Sequence, residues 1–409
     1  MTGAARKISD CCLCGRTAVQ ELMDFGPQPI CNRYLPRQGL PEFKHPVVLG
    51  QCSACGLVQL LRPVPAKELA PPYDWIVYNE PEGHLDQLAD ILSSLPGIMS
   101  RSIMAGVSYK DDTLLRRLKE RGHRYTWRLD ARRDLQIEDT QASVEIIQGR
   151  IGPESAIRIT HSRGRSDLMI ARQVLEHSHT MKVFLEGLKR FLYPGGYLMV
   201  EVPDNTRAME NCDVAMLWEE HIAYFTPETF QRNLALAGLE IAHYECFPYP
   251  FENSLVAIVR EARRPIPVLT SPEALAGELE LARSFVKRVT DQKRRIREFF
   301  GSYRRNGGQV ALFGAGHLAC MYINVLGLGD IIDFIVDDHP KKKGLFMPGS
   351  QLPIYGSEAL LNGKVKLCLL SLSPESEDKV IARNQAFVNQ GGVFSSINPS
   401  SRHALRIPS

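Results

Sequence analysis

Four cysteines stand in two pairs that have the spacing of metal-binding knuckles. Cys11 and Cys14 form a C-x-x-C in "CCLCG", and Cys52 and Cys55 form a second in "QCSACG". Two such pairs bring four thiolates together, which is the ligand set typical of tetrahedral zinc, and a glycine after each pair allows the tight turn of a knuckle. We therefore predict a closed, structural zinc site. The alternatives are four ordinary buried cysteines, or Cys12 in place of Cys11.

A second motif, near residue 314, has the form of a phosphate-binding turn. The segment "VALFGAGHLA" reads as a strand, then Gly314-x-Gly316, then a helix, and an acidic residue, Asp337, ends the next strand. Glycines at a helix N-terminus let the backbone approach a phosphate group. The motif predicts a Rossmann-like unit that binds a nucleotide or sugar nucleotide. The alternative is a Rossmann fold in which the glycines serve packing alone and no dinucleotide is bound.

The elements that must position these groups alternate between strand and helix in the middle of the chain. Strands are predicted at "RYTWRLD", at "SDLMIARQVLEH" (166–177) and after the Pro-Gly-Gly turn of "PGGYLMVEVPDN". Helices are predicted at "TMKVFLEGLKRFL" and at "TPETFQRNLALAG", the second capped by Thr226. Repeated units of this kind indicate an α/β fold with a doubly wound, mainly parallel sheet, which binds ligands at the carboxyl ends of its strands. Those ends carry Asp130, His177 and "VPDN".

The bulk composition argues against several classes of partner. The 409 residues carry a formal net charge of +3, which is too small to favour nucleic acid or an anionic membrane surface. No apolar run approaches the ~20 residues of a membrane span, and "MTGAARKISD" lacks the apolar stretch of a secretory signal. A cytoplasmic location is expected, where thiols stay reduced. The sequence gives no indication of the oligomeric state.

With these motifs the chain resembles the sugar-nucleotide C-methyltransferase family, whose members methylate C3 of a 4-keto-deoxysugar attached to a nucleoside diphosphate. The resemblance covers nearly the whole length and is carried by the knuckles with "DFGPQPICNRYL" between them, "LEH" (175–177), "WEEHIAYFT" (218–226), "FGAGHLA" and "IVDDHP". It implies a small zinc-binding N-terminal domain, a class I methyltransferase-like doubly wound sheet and a C-terminal Rossmann-like domain.

Domain boundaries follow from the resemblance together with the composition. We predict a zinc-binding domain over 1–70, a methyltransferase-like domain over 71–262 and a C-terminal Rossmann-like domain over 301–409. Between the last two, residues 263–300 are rich in charge and read as one long polar helix or a pair of helices. A charge-rich face of this kind is normally solvated, so we predict a helical connector.

The resemblance also implies a set of catalytic residues. Removing a hydrogen beside a ketone needs a base and a group that stabilises the enolate oxygen. His221 matches the family's base, and Glu220 beside it would orient the imidazole or bind substrate. The family has a tyrosine where this chain has Trp218, so its role is lost or passes to Tyr224. Further catalytic candidates are Tyr78, by a loose alignment, and His177 at a strand end.

The methyl donor of the family, S-adenosylmethionine, binds a glycine-rich turn that this chain lacks. The alignment places Ser108, Lys110 and Asp112 at the glycine positions, and three side chains would then project where the family leaves space. Asp130 falls where an acidic residue holds the ribose hydroxyls. The full set of donor candidates is Gly106, Ser108, Lys110, Asp112, Asp130 and Gln173.

The resemblance implies a nucleotide-sugar substrate, whose candidate ligands in the C-terminal domain are Gly314, Gly316, His317 and Asp337. Three hypotheses stay open. The first is an active methyltransferase with a remodelled donor turn. The second is a descendant that no longer binds the donor and uses the same proton transfer for epimerisation or tautomerisation. The third is a non-catalytic nucleotide-sugar-binding protein, which the retained Glu220-His221 pair disfavours.

Overall fold

The computed structural model describes residues 10–70, 72–73, 75, 81–138, 143–266 and 271–407. Within these ranges the chain forms three sheets, of four, six and five strands, with helices on the larger two. The mixed α/β class predicted from the sequence is confirmed. Among the helices of the described ranges, none is long and apolar enough to cross a membrane.

The N-terminal sheet is antiparallel and carries the cysteine knuckles at its end. Its strands are β1 (Val19–Pro29), β2 (Lys44–Cys52) and β3 (Val58–Leu60), followed by the short helix α1 (Ala66–Leu69). A two-residue strand from the central unit, Ala223–Tyr224, pairs with β3 and completes the sheet. Residues 218–226, which include the predicted base His221 and are called the catalytic segment below, are thereby attached directly to the N-terminal unit.

The central sheet has four parallel strands and an antiparallel pair at one edge. In chain order its elements begin with α2 (Leu85–Ser93), β4 (Met104–Gly106), α3 (Asp112–Glu120), β5 (Thr126–Arg128), α4 (Val144–Gln148), α5 (Pro153–Arg163), β6 (Ser166–Arg172), α6 (Met181–Arg190) and β7 (Leu192–Asp204). The central unit continues with α7 (Thr206–Glu210), α8 (Pro227–Leu236), β9 (Leu239–Phe247) and β10 (Asn253–Glu261). Between α7 and α8 lies β8 (Ala223–Tyr224), the two-residue strand that pairs with β3 of the N-terminal sheet. The strand order β5-β4-β6-β7-β10-β9 brings the carboxyl ends of β4, β5 and β6 to one edge.

Of two local features predicted for this part of the chain, the helix cap is found in the structure and the turn before the strand is not. Thr226 caps α8 as predicted, because its hydroxyl accepts a hydrogen bond from the Thr229 N–H. The Pro-Gly-Gly segment does not form a turn before the strand: β7 already begins at Leu192. The segment lies instead where the pairing of β6 with β7 becomes irregular, and Gly195 takes a φ of 83° there. The glycine thus provides a bulge inside the strand.

The C-terminal sheet is entirely parallel, with the order β13-β12-β11-β14-β15. Its unit consists of α9 (Pro272–Arg305), β11 (Gln309–Phe313), α10 (His317–Leu326), β12 (Phe334–Val336), β13 (Ile354–Tyr355), β14 (Val365–Leu370), α11 (Pro374–Arg383), α12 (Gln385–Asn389) and β15 (Val393–Ser396). The strand, glycine turn and helix predicted around residue 314 are β11, residues 314–316 and α10.

The charged segment before β11 forms one helix of 34 residues, α9, and this helix does more than connect two domains. One stripe of it is buried: Ala282, Phe285, Val289, Ile296 and Phe300. This stripe joins the apolar core that also contains β11 and α10. Near its start, the backbone carbonyl of Glu278 accepts a hydrogen bond from Gln51 of the N-terminal sheet. The charges occupy the remaining faces, which is why the composition reads as solvated.

Candidate active site and metal centre

The four predicted zinc ligands come together at the end of the N-terminal sheet. One Sγ atom from each of Cys11, Cys14, Cys52 and Cys55 lies within 4.8 Å of the other three. The closest pairs are Cys11–Cys55 and Cys14–Cys52, each at 3.6 Å. Gly15 and Gly56 take positive φ values of 70° and 83°, so the knuckle turns have the predicted left-handed geometry. Arg232 of α8 donates to the Cys55 carbonyl and ties the cluster to the central unit.

A cleft of about 810 Å³ lies where the three units meet. The central unit contributes the predicted catalytic segment, and the C-terminal unit contributes the glycine turn. The lining residues used below are Cys31, Tyr34, Trp75, Lys110, Gln173, Glu176, Trp218, His221, Gly316, His317, His339, Lys342, Ser371 and Ser373. One cavity is therefore lined by side chains from the carboxyl edge of the central sheet, from the catalytic segment and from the turn after β11.

His221 reaches this cleft with one edge of its ring. Its Nδ1 is buried without a hydrogen-bond partner among the described residues, which leaves Nε2 as the nitrogen that a substrate can approach. The ring lies 4.8 Å from the ring of His177 and 4.9 Å from that of Trp218, measured between centroids. Burial lowers the pKa of His221 to about 3, and the nearby His317 and Lys110 add to the effect. The imidazole is therefore neutral at ordinary pH.

The other predicted catalytic residues lie behind His221. His177 is buried, and its Nδ1 contacts the Glu220 carbonyl oxygen at 3.1 Å. The Glu220 carboxyl group is buried too, where it accepts from Asn32 at 3.4 Å and does not line the cleft. Tyr224 is fully buried, and its hydroxyl is bonded to the backbone of Trp218, so it stands away from the cavity. Tyr78 lies outside the described residues.

In the C-terminal turn the four predicted residues divide into two roles. Gly316 and His317 line the cleft at the start of α10. Gly314 takes a φ of 104°, and a Cβ there would lie 2.8 Å from the Ser371 carbonyl oxygen, so only glycine fits. Asp337 holds the turn itself, because its Oδ2 accepts from the Ala315 N–H and from Lys342, both at 2.9 Å.

The turn that replaces the glycine-rich donor loop is closed by its own side chains. The Asp111 carboxylate accepts from the N–H groups of Val107 and Ser108 at 2.7 and 2.8 Å, and the Ser108 hydroxyl accepts from the Lys110 N–H. Asp112 is exposed and pairs with Arg128 at 3.3 Å. The described turn, residues 107–112, contains no residue with positive φ, so this conformation does not need glycine.

The remaining donor candidates line the carboxyl edge of the sheet. Asp130 follows β5 with an exposed carboxylate, one oxygen of which accepts from the Arg133 N–H. Gln173 follows β6 with a φ of 51° and lines the cleft together with Lys110. Gly106 is packed tightly, because a Cβ there would lie 2.8 Å from the Cβ of Asp111.

Three family models match successive parts of the chain. They are "Putative zinc binding domain" over residues 11–69, "Methyltransferase domain" over 107–244 and "C-methyltransferase C-terminal domain" over 266–399. The chain belongs to the three-domain C-methyltransferase family. The C-methyltransferase is accordingly an enzyme of the methyltransferase class, and the match to its C-terminal domain includes α9.

Known structures that resemble part of this chain include several methyltransferases. The 1,6-didemethyltoxoflavin-N1-methyltransferase of Burkholderia thailandensis is 14% identical, covering 44% of this chain and 79% of its own, with a TM-score of 0.30. The CcbJ methyltransferase of Streptomyces caelestis is 12% identical, covering 46% and 100%, with a TM-score of 0.28. Likeness at this level carries no argument about donor or substrate. Among curated proteins, none matches the chain.

The residues present fit both groups that the family implies. Four thiolates with Sγ–Sγ contacts of 3.6 Å suit zinc, whose bonds to sulfur are about 2.3 Å long. For S-adenosylmethionine, the exposed Asp130 carboxylate has the acceptor oxygens that ribose hydroxyls require. The side chains of Ser108, Asp111 and Asp112 are engaged in contacts of their own, and Lys110 lines the cleft.

Two buried glutamates that do not line the cleft, Glu219 and Glu145, were missed by the sequence analysis. Glu219 accepts from both the N–H and the thiol of Cys31, at 2.6 and 3.1 Å, and burial raises the pKa of Glu219 to about 7. Glu145 of α4 contacts His177 at 3.1 Å. Glu219 belongs to the quoted "WEEH" and could have been noticed there, whereas Glu145 lies in no motif.

Proposed function

We propose that the C-methyltransferase acts on a nucleotide-linked ketosugar, which it deprotonates beside the carbonyl before methylation at carbon. The observation that carries the proposal is the shared cleft. It sets His221 of the catalytic segment and the Gly316–His317 start of α10 in one cavity of about 810 Å³, and a cavity of several hundred Å³ is the usual size for a ligand of this class. The reacting sugar would lie at His221, with its nucleotide extending toward α10.

His221 is the proposed base. Its imidazole is neutral because burial lowers its pKa to about 3, so the lone pair is available at working pH. A neutral base of low pKa is weak in the empty site. Bound phosphate and a developing enolate bring negative charge beside the ring, which favours the protonated form and raises the pKa toward a useful value. The proton would be accepted at Nε2, the nitrogen nearer the cleft.

The enolate oxygen needs a positive or donating group, and Trp218 cannot supply the acidic hydroxyl of the family's tyrosine. Lys110 lines the same cavity, and its charge is close enough to lower the pKa of His221. We assign Lys110 the role of stabilising negative charge on the substrate. Asp130 and Gln173 would hold S-adenosylmethionine, which would supply an electrophilic methyl group when bound.

The nucleotide end would be held by the C-terminal unit. The first N–H groups of α10 have no partner within the helix, and a ten-residue helix carries partial positive charge at this end. Ser373 and Lys342 line the cleft beside it and can donate to a diphosphate, whereas the Ser371 hydroxyl donates to the backbone carbonyls of Phe313 and Gly314. Trp75 stacks on His339 with centroids 4.9 Å apart, which provides an aromatic surface for a nucleobase.

The test is proton exchange in heavy water. The purified chain is incubated with a nucleoside-diphosphate 4-keto-6-deoxyhexose in ²H₂O, and deuterium entering beside the carbonyl is followed by mass spectrometry. Exchange is expected with the wild type and should fall by roughly 10²-fold or more in His221→Ala. As a control, Arg402→Ala alters an exposed residue outside the cleft and should leave exchange unchanged. Absence of exchange in the wild type contradicts the proposal.

A second candidate, an enzyme that epimerises the sugar without a methyl donor, is favoured by the Asp111 contacts, since they occupy two backbone N–H groups of the donor turn. Calorimetric titration with S-adenosylhomocysteine separates the two. For methyl transfer we expect binding that weakens by roughly 10-fold or more in Asp130→Ala. The control Asp112→Asn changes only an exposed ion pair with Arg128 and should bind like the wild type. No heat with any of the three proteins would favour epimerisation.

A further inference from the structure

A buried carboxylate stands directly behind His177. Glu145, in α4, places Oε1 3.1 Å from Nδ1 of His177, and the Glu220 carbonyl oxygen lies 3.1 Å from the same nitrogen. All three residues are buried. One ligand atom from each of Glu145, His177 and Glu220 lies within 4.8 Å of the others. Nothing in the sequence of α4 marks Glu145 as part of this group, and neither the family matches nor the proposed mechanism assigns it a role.

These contacts fix the tautomer of His177. The Glu220 carbonyl and an ionised Glu145 carboxylate can both only accept, so together they hold the hydrogen on Nδ1, and the charged carboxylate is the stronger of the two acceptors. The neutral ring, which burial favours by moving the pKa of His177 well below its usual value, therefore presents a lone pair at Nε2. That nitrogen lies 3.9 Å from Glu176, and ring nitrogens of His177 and His221 cluster with a Glu176 oxygen within 4.8 Å. The His177 and His221 rings are therefore neighbours, with centroids 4.8 Å apart and planes at 90°.

The carboxyl groups of Glu145 and Glu220 are hydrogen-bonded to each other. Two carboxylates in a buried site cannot both be ionised, so they hold a proton between them. Burial raises the pKa of both carboxyl groups, and the charges of Glu145 and Glu219 add to the effect on Glu220, whose pKa lies well above its usual value. Glu220 is then the acid that donates, and Glu145 is the ionised partner that accepts from both Glu220 and His177.

We propose that Glu145 is a positioning residue, which holds His177 with its hydrogen on Nδ1 so that Nε2 can receive a proton from His221. The inference rests on the proposed function. When the substrate C–H bond breaks, its electron pair stays on the sugar as the enolate and the proton joins Nε2 of His221. His221 then releases its Nδ1 proton to Nε2 of His177. The resulting imidazolium is paired with the Glu145 carboxylate.

The surroundings of His177 are consistent with a transient positive charge. Glu176 lies on the Nε2 side and Glu145 on the Nδ1 side, while Lys110, His179 and His221 oppose the charge. The two nearest carboxyl groups therefore decide whether His177 can accept a proton. Removing the charge of Glu145 should raise the energy of the protonated ring even where the hydrogen bond is kept.

The experiment reads the tautomer of His177 by NMR of ¹⁵N-histidine-labelled protein, with His177→Gln used to assign the signal. The wild type should show a single Nδ1–H form. Glu145→Gln keeps an acceptor oxygen and should retain that form, whereas Glu145→Ala should give a mixture of tautomers. The control Asp213→Asn changes another buried carboxylate outside the cleft and should leave His177 unchanged. A single unchanged tautomer in folded Glu145→Ala overturns the inference.

Deuterium exchange adds a kinetic readout. Since neither Glu145 nor His177 lines the cleft, Glu145→Gln should lower kcat roughly 10²-fold with KM near the wild-type value. An unchanged kcat contradicts the relay. If the wild type exchanges nothing with the ketosugar, the proposed function fails, but the NMR result still decides whether Glu145 sets the tautomer.

Discussion

Trp218 of the catalytic segment stacks face to face on His317 at the start of α10, with ring centroids 4.2 Å apart and planes 7° from parallel. The contact joins the central and C-terminal units, and both of its residues line the cleft. The indole at position 218 therefore forms an aromatic contact across the two units.

Replacing Trp218 with alanine should destabilise the protein, because truncating a buried aromatic side chain costs about 3–5 kcal/mol. Trp218→Phe keeps a ring over His317 and should lose less than half as much. Thermal unfolding of both variants measures the difference. Equal midpoints for the two variants would show that a ring stacked on His317 adds nothing to the stability of the protein.

Removing the predicted zinc should destabilise the N-terminal sheet, because the metal–thiolate bonds that hold the two knuckles together are then lost. We expect one zinc per chain by elemental analysis. A strong chelator should lower the thermal midpoint by roughly 5 °C or more. Cys52→Ser should lose the metal. Cys12→Ser should keep it, since Cys12 is outside the cluster, and loss of zinc from that variant would contradict the assignment.

The depressed pKa of His221 predicts a pH dependence of stability. The group titrates near 6.5 when unfolded and near 3 when folded, so between these values the unfolded chain binds the extra proton. Its contribution is complete above pH 6.5 and is lost as the pH falls toward 3. His221→Gln should therefore show a flatter decline in unfolding free energy over this window, measured by urea denaturation. Parallel curves for the two proteins would contradict the assigned shift.

The two glycines of the C-terminal turn should respond differently to alanine. Gly314→Ala places a Cβ 2.8 Å from a carbonyl oxygen at a φ of 104°, which should cost about 1–3 kcal/mol of stability. At Gly316 the backbone is extended and a Cβ meets nothing within 4 Å, so Gly316→Ala should fold normally. Denaturation curves test both. Any loss of nucleotide affinity in Gly316→Ala would then report on binding alone.

The parts of the site that depend on local geometry could be read from the sequence. The knuckle spacing predicted Cys11, Cys14, Cys52 and Cys55, and the cap at Thr226 follows from residues three positions apart. The donor turn was harder to interpret, because glycines were expected where Ser108 and Asp111 form a capping box instead. The S-x-x-D spacing of that box is visible in the sequence and could have predicted the turn.

Contacts between distant segments were beyond the sequence. Cys31, which belongs to neither C-x-x-C pair, contacts Glu219 across 188 residues of sequence. Glu145 reaches His177 only because α4 packs against the turn after β6. In α9 the buried stripe is diluted by charges on the other faces, so composition alone suggested a solvated connector. Such pairings depend on tertiary packing, which no local pattern encodes.

The contacts of the long helix α9 determine whether the three units can be separated from one another. Glu278 near its start accepts hydrogen bonds from Gln51 of the N-terminal sheet and from Thr226 of the central unit, and Phe300 near its end packs under the C-terminal sheet. If a protease cut the chain just before Ser271, these contacts would still hold the two fragments together. Exchanging the C-terminal unit for that of a relative would require transferring this helix as well and redesigning the surfaces on the other two units that it contacts.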